Sequence, residues 1–136
     1  NMCKCSGQCG CNITSTTKGE KGDASTVASL GYKVYTALLT QTGTDAPTAT
    51  ILQNTIGTVT YTYSGVGIYH ATSSGLFTEN KTFFIMSSSN YGSDGIIFTI
   101  DWVSSSDITI NCFDTAAHTS LNDALLKSPI EIRVYP

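Results

Sequence analysis

The sequence predicts an all-β fold, an antiparallel two-sheet sandwich or jelly roll, preceded by a short segment of a different kind. From about Gly31 onward, short apolar and β-branched runs alternate with clusters of turn-forming residues. In several of these runs the apolar residues recur at every second position, the period of a half-buried strand. Eight such runs with little helical spacing are typical of two packed sheets.

The expected strands follow one another through the last hundred residues of the chain. They comprise residues 32–40, 49–54, 58–64, 67–72, 81–86, 96–102, 108–113 and 130–135. The segments between them are rich in glycine, serine, threonine and aspartate, which favour turns because their side chains or backbones adopt turn geometry readily. The clearest turns are residues 42–47, 73–75, 87–92 and 104–106.

Two runs show the alternation most clearly. Val59, Tyr61 and Tyr63 alternate with threonines, and the apolar positions 130, 132 and 134 alternate with Glu131 and Arg133. Successive side chains of a strand point to opposite faces of the sheet. Each of these strands is therefore expected to bury one face and expose the other.

Three further expectations concern single residues or short segments. Trp102 continues the apolar alternation of residues 96–100, which predicts a core position. Cys112 is expected to be a small buried apolar residue with no role beyond packing. Residues 120–127 contain three leucines at helical spacing, which predicts a helical turn or two.

The first thirty residues differ in composition from the rest, which predicts a Cys-rich and collagen-like segment over 1–30 and a head domain over 31–136. Gly19 and Gly22 stand three residues apart in "KGEKGD", the glycine period of a collagen triple helix. Only two triplets are present, without proline, so a triple helix there needs the heads to hold three chains together. The alternative interpretation is a solvated linker.

The N-terminal cysteines form a symmetric array around Gly7, with Cys3, Cys5, Cys9 and Cys11 at C-x-C-x3-C-x-C spacing. A hairpin at residues 6–8 would bring the four sulfurs together. They could then bind zinc or an iron-sulfur cluster as thiolates, or form two disulfides, or belong to a disordered end. A reducing cytoplasm favours a metal site over disulfides, whereas the C-x-C spacing departs from the usual C-x2-C of structural zinc.

Composition argues against several classes of partner. Charged residues make up 12% of the chain and the net charge is −3, so no basic stripe is present to attract nucleic acid or an anionic membrane. No apolar run approaches the roughly 20 residues of a membrane-spanning helix. Serine and threonine together supply 37 residues, which predicts a neutral surface rich in hydroxyl groups.

The residues available for catalysis are few, and the sequence predicts no enzymatic activity. His70 lies in an expected strand and His118 in a polar loop, where Asp114 and a serine could complete a hydrolase site. The chain contains no Gly-x-Ser-x-Gly motif, and its acids show no calcium-loop spacing. Tyr91, in the serine-rich segment 87–92, is the aromatic residue expected to be exposed in a loop. Loops that bind sugars use such residues, and so do loops that only cover a core.

The layout of a collagen-like stub before a β-sandwich is similar to that of trimeric heads of the C1q and tumour-necrosis-factor type. The run "YKVYTALLTQTGTDAP" at residues 32–47 resembles virion structural proteins of bacteriophages, especially those that infect Bacteroidetes. Residues 65–69, "GVGIY", and 128–135, "SPIEIRVY", resemble the same group. These motifs concern packing and turns, so the resemblance implies a virion architecture and not a chemical activity.

The resemblance implies a homotrimeric, non-enzymatic virion protein, assembled in the bacterial cytoplasm and exposed on the particle as the head of a fibre or appendage. Its expected partners are other virion proteins and glycans of a host cell or mucosal surface. Two alternatives are a purely structural capsid or tail decoration and a collagen-like adhesin of a bacterial surface. Neither nucleic-acid binding nor membrane insertion is expected.

Overall fold

The computed structural model describes residues 31–87 and 95–136. Over these residues the chain forms nine strands and no helix. The strands are β1 Lys33–Thr40, β2 Thr48–Asn54, β3 Thr60–Gly65, β4 Ile68–Thr72, β5 Thr82–Met86, β6 Ile96–Ser104, β7 Asp107–Asp114, β8 Thr119–Ser120 and β9 Leu126–Val134. Each of the eight expected strands is present, and the largest difference is at β9, which begins at Leu126 instead of Ile130.

The strands form two antiparallel sheets. Sheet I has the order β2-β1-β9-β5, and sheet II has the order β3-β4-β7-β6, with the short β8 alongside the end of β7. All pairings are antiparallel. The expectation of an all-β, antiparallel, two-sheet architecture is therefore confirmed.

One hydrophobic core lies between the two sheets. Tyr35, Ala37 and Leu39 of β1 and Ile130 and Ile132 of β9 enter it from sheet I. Sheet II and its connections contribute Ile56, Tyr61, Tyr69, Ala71, Phe77, Ile108, Ile110, Cys112, Ala124 and Leu125. The alternation predicted for β3 and β9 is confirmed, because their apolar positions face this core while the threonines of β3 are exposed.

The sandwich has two distinct ends. We call proximal the end at which β1 begins and β9 finishes, where Lys33 pairs with Val134. The opposite, distal end contains the β1–β2 turn and the connection from β8 to β9. Since β1 and β9 are antiparallel neighbours, the described chain begins and finishes at the proximal end. No helix in this described part is long and apolar enough to cross a membrane.

The core position predicted for Trp102 is wrong. The side chain is 39% exposed, although Ile96, Phe98 and Ile100 of the same strand pack against the core as expected. Trp102 lies where the strand reaches the proximal rim, and the register of β6 shifts directly after it. The indole N–H there donates a hydrogen bond of 2.8 Å to the Phe77 carbonyl oxygen, so the ring caps the connection between β4 and β5.

The helical turn predicted for residues 120–127 is also wrong. This segment contains the end of β8, an extended connection and the start of β9. Polar side chains compete with a helix here: the Asn122 Oδ1 accepts the Gly67 N–H at 2.8 Å, and the Asp123 Oδ1 accepts the Gly43 N–H at 2.6 Å. Left-handed backbone at Asp123 and Lys127 is incompatible with continuing a right-handed helix.

The β3–β4 hairpin requires glycine at position 67. Its φ is +65°, and a Cβ atom there would lie 2.6 Å from the Cys112 carbonyl oxygen and 2.7 Å from the Leu121 nitrogen. The Gly67 carbonyl accepts the Cys112 N–H at 2.8 Å. Any side chain at this position would both strain the backbone and separate the hairpin from β7.

Gln41 holds the distal end together. The side chain is buried, and its Oε1 accepts the Tyr69 hydroxyl at 2.8 Å and the Asp123 N–H at 2.9 Å. Its Nε2 donates to the Gly43 carbonyl oxygen at 2.7 Å, and its backbone N–H donates to the Leu125 carbonyl oxygen at 2.9 Å. One amide therefore joins the β1–β2 turn, β4 and the connection before β9.

Replacing Gln41 with leucine should lower the free energy of unfolding by about 2–4 kcal/mol, because the buried Tyr69 hydroxyl and the Asp123 N–H both lose their acceptor. The control Tyr69→Phe removes one hydroxyl and leaves Gln41 bonded to Asp123, so a loss of about 1 kcal/mol is expected. Urea unfolding followed by circular dichroism measures both. Equal losses in the two variants would contradict the role of Gln41 as a common acceptor.

Candidate functional site: a hydroxyl-lined groove

The outer face of sheet II is predominantly polar. Its strands alternate, so the side chains that do not enter the core form a row of hydroxyl, amide and carboxylate groups. They include Thr60, Thr62, His70, Thr72, Thr99, Asp101, Asp107, Thr109 and Asn111. Asn111 donates to the Asp101 carboxylate at 2.9 Å and to the Thr99 hydroxyl at 3.3 Å. The face therefore presents hydrogen-bonding groups whose positions are held by one another.

His70 and Asp107 form a pair on this face. The His70 Nδ1 lies 3.0 Å from both carboxylate oxygens of Asp107, which assigns the donor proton to Nδ1. The two residues are 37 positions apart in the sequence and meet because β4 and β7 are antiparallel neighbours. Within the described residues, no hydroxyl or thiol group is hydrogen-bonded to His70.

A groove of about 670 Å³ opens beside this pair at the proximal end. Asp107 belongs to its wall together with Gly57, Thr58, Thr60, Thr72, Ser73, Ser74, Leu76 and Ser106. Three connections meet there: the one from β2 to β3, the turn after β4 and the turn between β6 and β7. The serine and threonine residues of these turns were expected from the sequence. The turns come together in space because β4 pairs with β7.

Hydrogen bonds fix the backbone of the groove. The Ser73 N–H donates to the Ser106 carbonyl oxygen at 2.9 Å, and the Gly75 N–H donates to the Ser106 hydroxyl at 3.1 Å. The Ser73 hydroxyl, in contrast, is buried and has no hydrogen-bond partner among the described residues. A carboxylate and several hydroxyl groups are thus held around an open space, an arrangement suited to hydrogen-bonding a neutral polar ligand.

A second, more apolar cavity of about 620 Å³ lies on the other side of Leu76, which contributes to both walls. Its remaining wall is formed by Gly31, Tyr32, Lys33, Ile56, Gly75, Thr78, Lys81, Val134, Tyr135 and Pro136. Because Gly31 is the first described residue, the preceding chain is attached at the rim of this cavity. We assign no ligand to it.

The structure does not bring the imagined hydrolase residues together. The Asp114 Oδ1 accepts the N–H groups of Ala116 at 2.8 Å and Ala117 at 3.0 Å, so this carboxylate shapes its own turn. His118 lies exposed in that turn with φ of +54°. Among the described residues, no group of three or more histidine, cysteine, aspartate or glutamate side chains could hold a metal ion.

Several residues singled out in the sequence lie outside the described residues. They are Cys3, Cys5, Cys9, Cys11, Gly19, Gly22 and Tyr91. The metal or disulfide site, the collagen-like stub and the exposed loop aromatic therefore stay predictions. The boundary between residues 1–30 and 31–136 stays a prediction as well.

Burial changes the acidity of several core groups. Cys112 is fully buried as a free thiol, as expected for a packing residue, and burial raises its pKa to about 12. Burial is also the main cause that raises the hydroxyl pKa of Tyr35, Tyr61 and Tyr69. These groups stay protonated in the folded protein well above the pH at which they titrate in an unfolded chain.

Comparison with known proteins found no match: no protein-family model matches the chain, and neither does any curated protein or solved structure.

Alkaline pH should unfold the protein progressively. An unfolded chain releases the thiol proton near pH 9 and the tyrosine protons near pH 10, whereas the folded chain retains them. Stability is therefore complete below about pH 9 and falls as the pH rises toward 12, by up to about 1.4 kcal/mol per pH unit for each group.

Urea unfolding of the intact chain at pH 7, 9 and 10.5 tests this dependence. The variant Cys112→Ala should be less stable at pH 7 but lose less stability between pH 9 and 10.5, because one titrating group is gone. An identical alkaline loss in both proteins would show that the Cys112 thiol does not contribute.

Proposed function

We propose that this chain is a non-enzymatic bacteriophage virion protein in which three jelly-roll heads of the C1q and tumour-necrosis-factor type follow a short collagen-like stub. The protein is assembled in the bacterial cytoplasm and displayed on the particle as the head of a fibre or appendage. Two antiparallel sheets with the first and last strands adjacent support a jelly-roll topology. The sequence resemblance at residues 32–47, 65–69 and 128–135 supports the virion assignment.

The hydroxyl-lined groove is the observation that carries the proposed attachment to glycans. Sugar hydroxyl groups both donate and accept hydrogen bonds, and the groove offers serine and threonine hydroxyls for both roles. Asp107 adds an ionised acceptor, whose hydrogen bonds are stronger than those of neutral groups. Since the groove adjoins the outer face of sheet II, a surface glycan can reach it without the head opening.

A second candidate function is structural decoration of the capsid or tail. The observation in its favour is that the described residues lining the groove include no aromatic side chain. Ligand sites are usually lined by apolar and aromatic side chains together with a few polar groups. Under this structural alternative, the polar outer face of sheet II serves as a solvated surface of the particle.

The Asp107→Asn variant should lose glycan binding by at least about tenfold, because a charged acceptor at the groove becomes a neutral amide. Asp101→Asn is the matched control, since Asp101 also lies on the outer face of sheet II but does not line the groove. Glycan arrays and binding to whole bacterial cells provide the measurement. Binding by neither the native protein nor the control would favour structural decoration, and equal loss in both variants would exclude a site centred on the groove.

The full chain should be a homotrimer, and removal of residues 1–25 should leave a trimer, because the proline-poor stub is too short to assemble three chains. Replacing Gly19 and Gly22 by alanine should change the melting temperature of the head little, since a fraying end contributes little to global unfolding. Light scattering and calorimetry measure these properties. A monodisperse monomer after the truncation would show that the stub and not the head drives assembly.

Elemental analysis and thiol titration of the same sample distinguish the alternatives at Cys3, Cys5, Cys9 and Cys11. Zinc or iron near stoichiometry indicates a thiolate site, and the loss of titratable thiols without metal indicates disulfides. Four free thiols without metal indicate neither a metal site nor disulfides.

A further inference from the structure

The outer face of sheet I has a different chemistry from that of sheet II and carries an inference that rests on the proposed trimer. We propose that the proximal half of this face is the surface through which one copy of the chain binds the next. We call it the aromatic face and define it by Tyr32, Phe83, Ile85, Arg133 and Tyr135.

Aromatic rings on this face contact one another and not the core. The Tyr135 ring centroid lies 5.0 Å from that of Tyr32 and 5.4 Å from that of Phe83. Phe83 is 58% exposed and Ile85 is 51% exposed, side by side on β5 with their side chains on the same side of the sheet. Clustered apolar side chains of this size on a soluble protein mark an interaction surface.

Charge on the aromatic face is balanced within the face itself. Arg133 donates a hydrogen bond to the Glu131 carboxylate, and its guanidinium lies 5.3 Å from the Tyr32 ring centroid. The chain as a whole carries a net charge of −3, so copies repel one another weakly at a distance. A patch that is locally neutral and offers both an acid and a base is where identical copies can meet without like charges facing each other.

The covalent path of the chain also favours this face. Gly31 directly precedes Tyr32 and lies eight positions after Asp23, the last residue of the collagen-like motif. Eight residues span at most about 26–29 Å. For three stubs to meet on one axis, each Gly31 must therefore lie within about that distance of the axis, and Tyr32 of the aromatic face follows Gly31 directly.

Two other pairs of exposed apolar residues are less suited to this contact. Ile97 and Phe113 are neighbours on the outer face of sheet II, but they lie at the distal end, away from the proximal Gly31. Ile51 and Leu52 lie on the edge strand β2, where a register shift marks a β-bulge. Bulges bend an edge strand and hinder its pairing with another chain.

The test compares Ile85→Lys with Ile97→Lys in the full chain. The two isoleucines are exposed to 51% and 50%, and they lie on the outer faces of opposite sheets, so the substitutions are matched in residue type and burial. Sedimentation velocity over a concentration series gives the association state, and circular dichroism reports folding. We expect a folded Ile85→Lys chain whose half-dissociation concentration rises at least about tenfold, with Ile97→Lys unchanged from the native trimer.

Other outcomes overturn the proposal in distinguishable ways. If both variants associate as the native protein does, or if Ile97→Lys alone dissociates, the contact lies elsewhere while the proposed trimer stands. If the native chain is itself a monomer, the trimer fails and this interface fails with it. Should Ile85→Lys not fold, Phe83→Ser removes a more exposed side chain of the same face, and undiminished association of that folded variant overturns the proposal.

Discussion

The pairing of the first described strand with the last is the constraint on which the rest of the sandwich depends. β1 and β9 are the two central strands of sheet I, in register from Lys33 opposite Val134 to Leu39 opposite Ser128. Ala37 faces Ile130 within this pair, and both side chains are buried. The edge strands β2 and β5 each depend on one of these two central strands, so loss of the pair would leave sheet I without a centre.

Both sheets supply apolar residues to the core. The outer faces differ in the residues that remain. Once the inward positions are filled, sheet II has mostly hydroxyl, amide and carboxylate groups for its outer face, whereas sheet I exposes Phe83 and Ile85 beside Glu131 and Arg133. In the proposed assembly the aromatic face turns toward the axis. The groove at Asp107 then lies beside the outer face of the opposite sheet, away from the aromatic face. The two proposals are therefore geometrically compatible, since neither needs the surface that the other uses.

Local patterns in the sequence predicted most of the strands, because alternation and turn residues act over only a few positions. Val59, Tyr61 and Tyr63 show this, as do the turn at residues 42–47 and the buried Cys112. The errors arise where tertiary contacts override a local pattern. At residues 120–127, Asn122 and Asp123 bond to distant backbone groups, which outweighs a helical leucine spacing worth a fraction of a kcal/mol per residue.

The candidate site was less predictable than the fold. His70 was noted in the sequence, but nothing local indicated that it pairs with Asp107 across 37 residues. Their contact follows from the register of β4 against β7, which long-range packing determines. Gln41 was missed altogether, because a single glutamine beside a turn carries no periodic signal. A polar residue that follows an apolar strand and precedes a glycine turn is the kind of signal that could have singled it out.

The central position of β9 has a consequence for how the chain is made. During synthesis, β1 emerges from the ribosome roughly a hundred residues before its partner, and sheet I lacks its middle strand until Val134 has left the ribosome. Pairings between such distant segments form slowly, because closing a long loop costs entropy before any contact is gained. The residues before Gly31 are therefore synthesised well before a folded head exists. Any association of three such segments that depends on the heads must then follow synthesis and cannot accompany it, so early chains would depend on chaperones or low concentration to avoid mispairing.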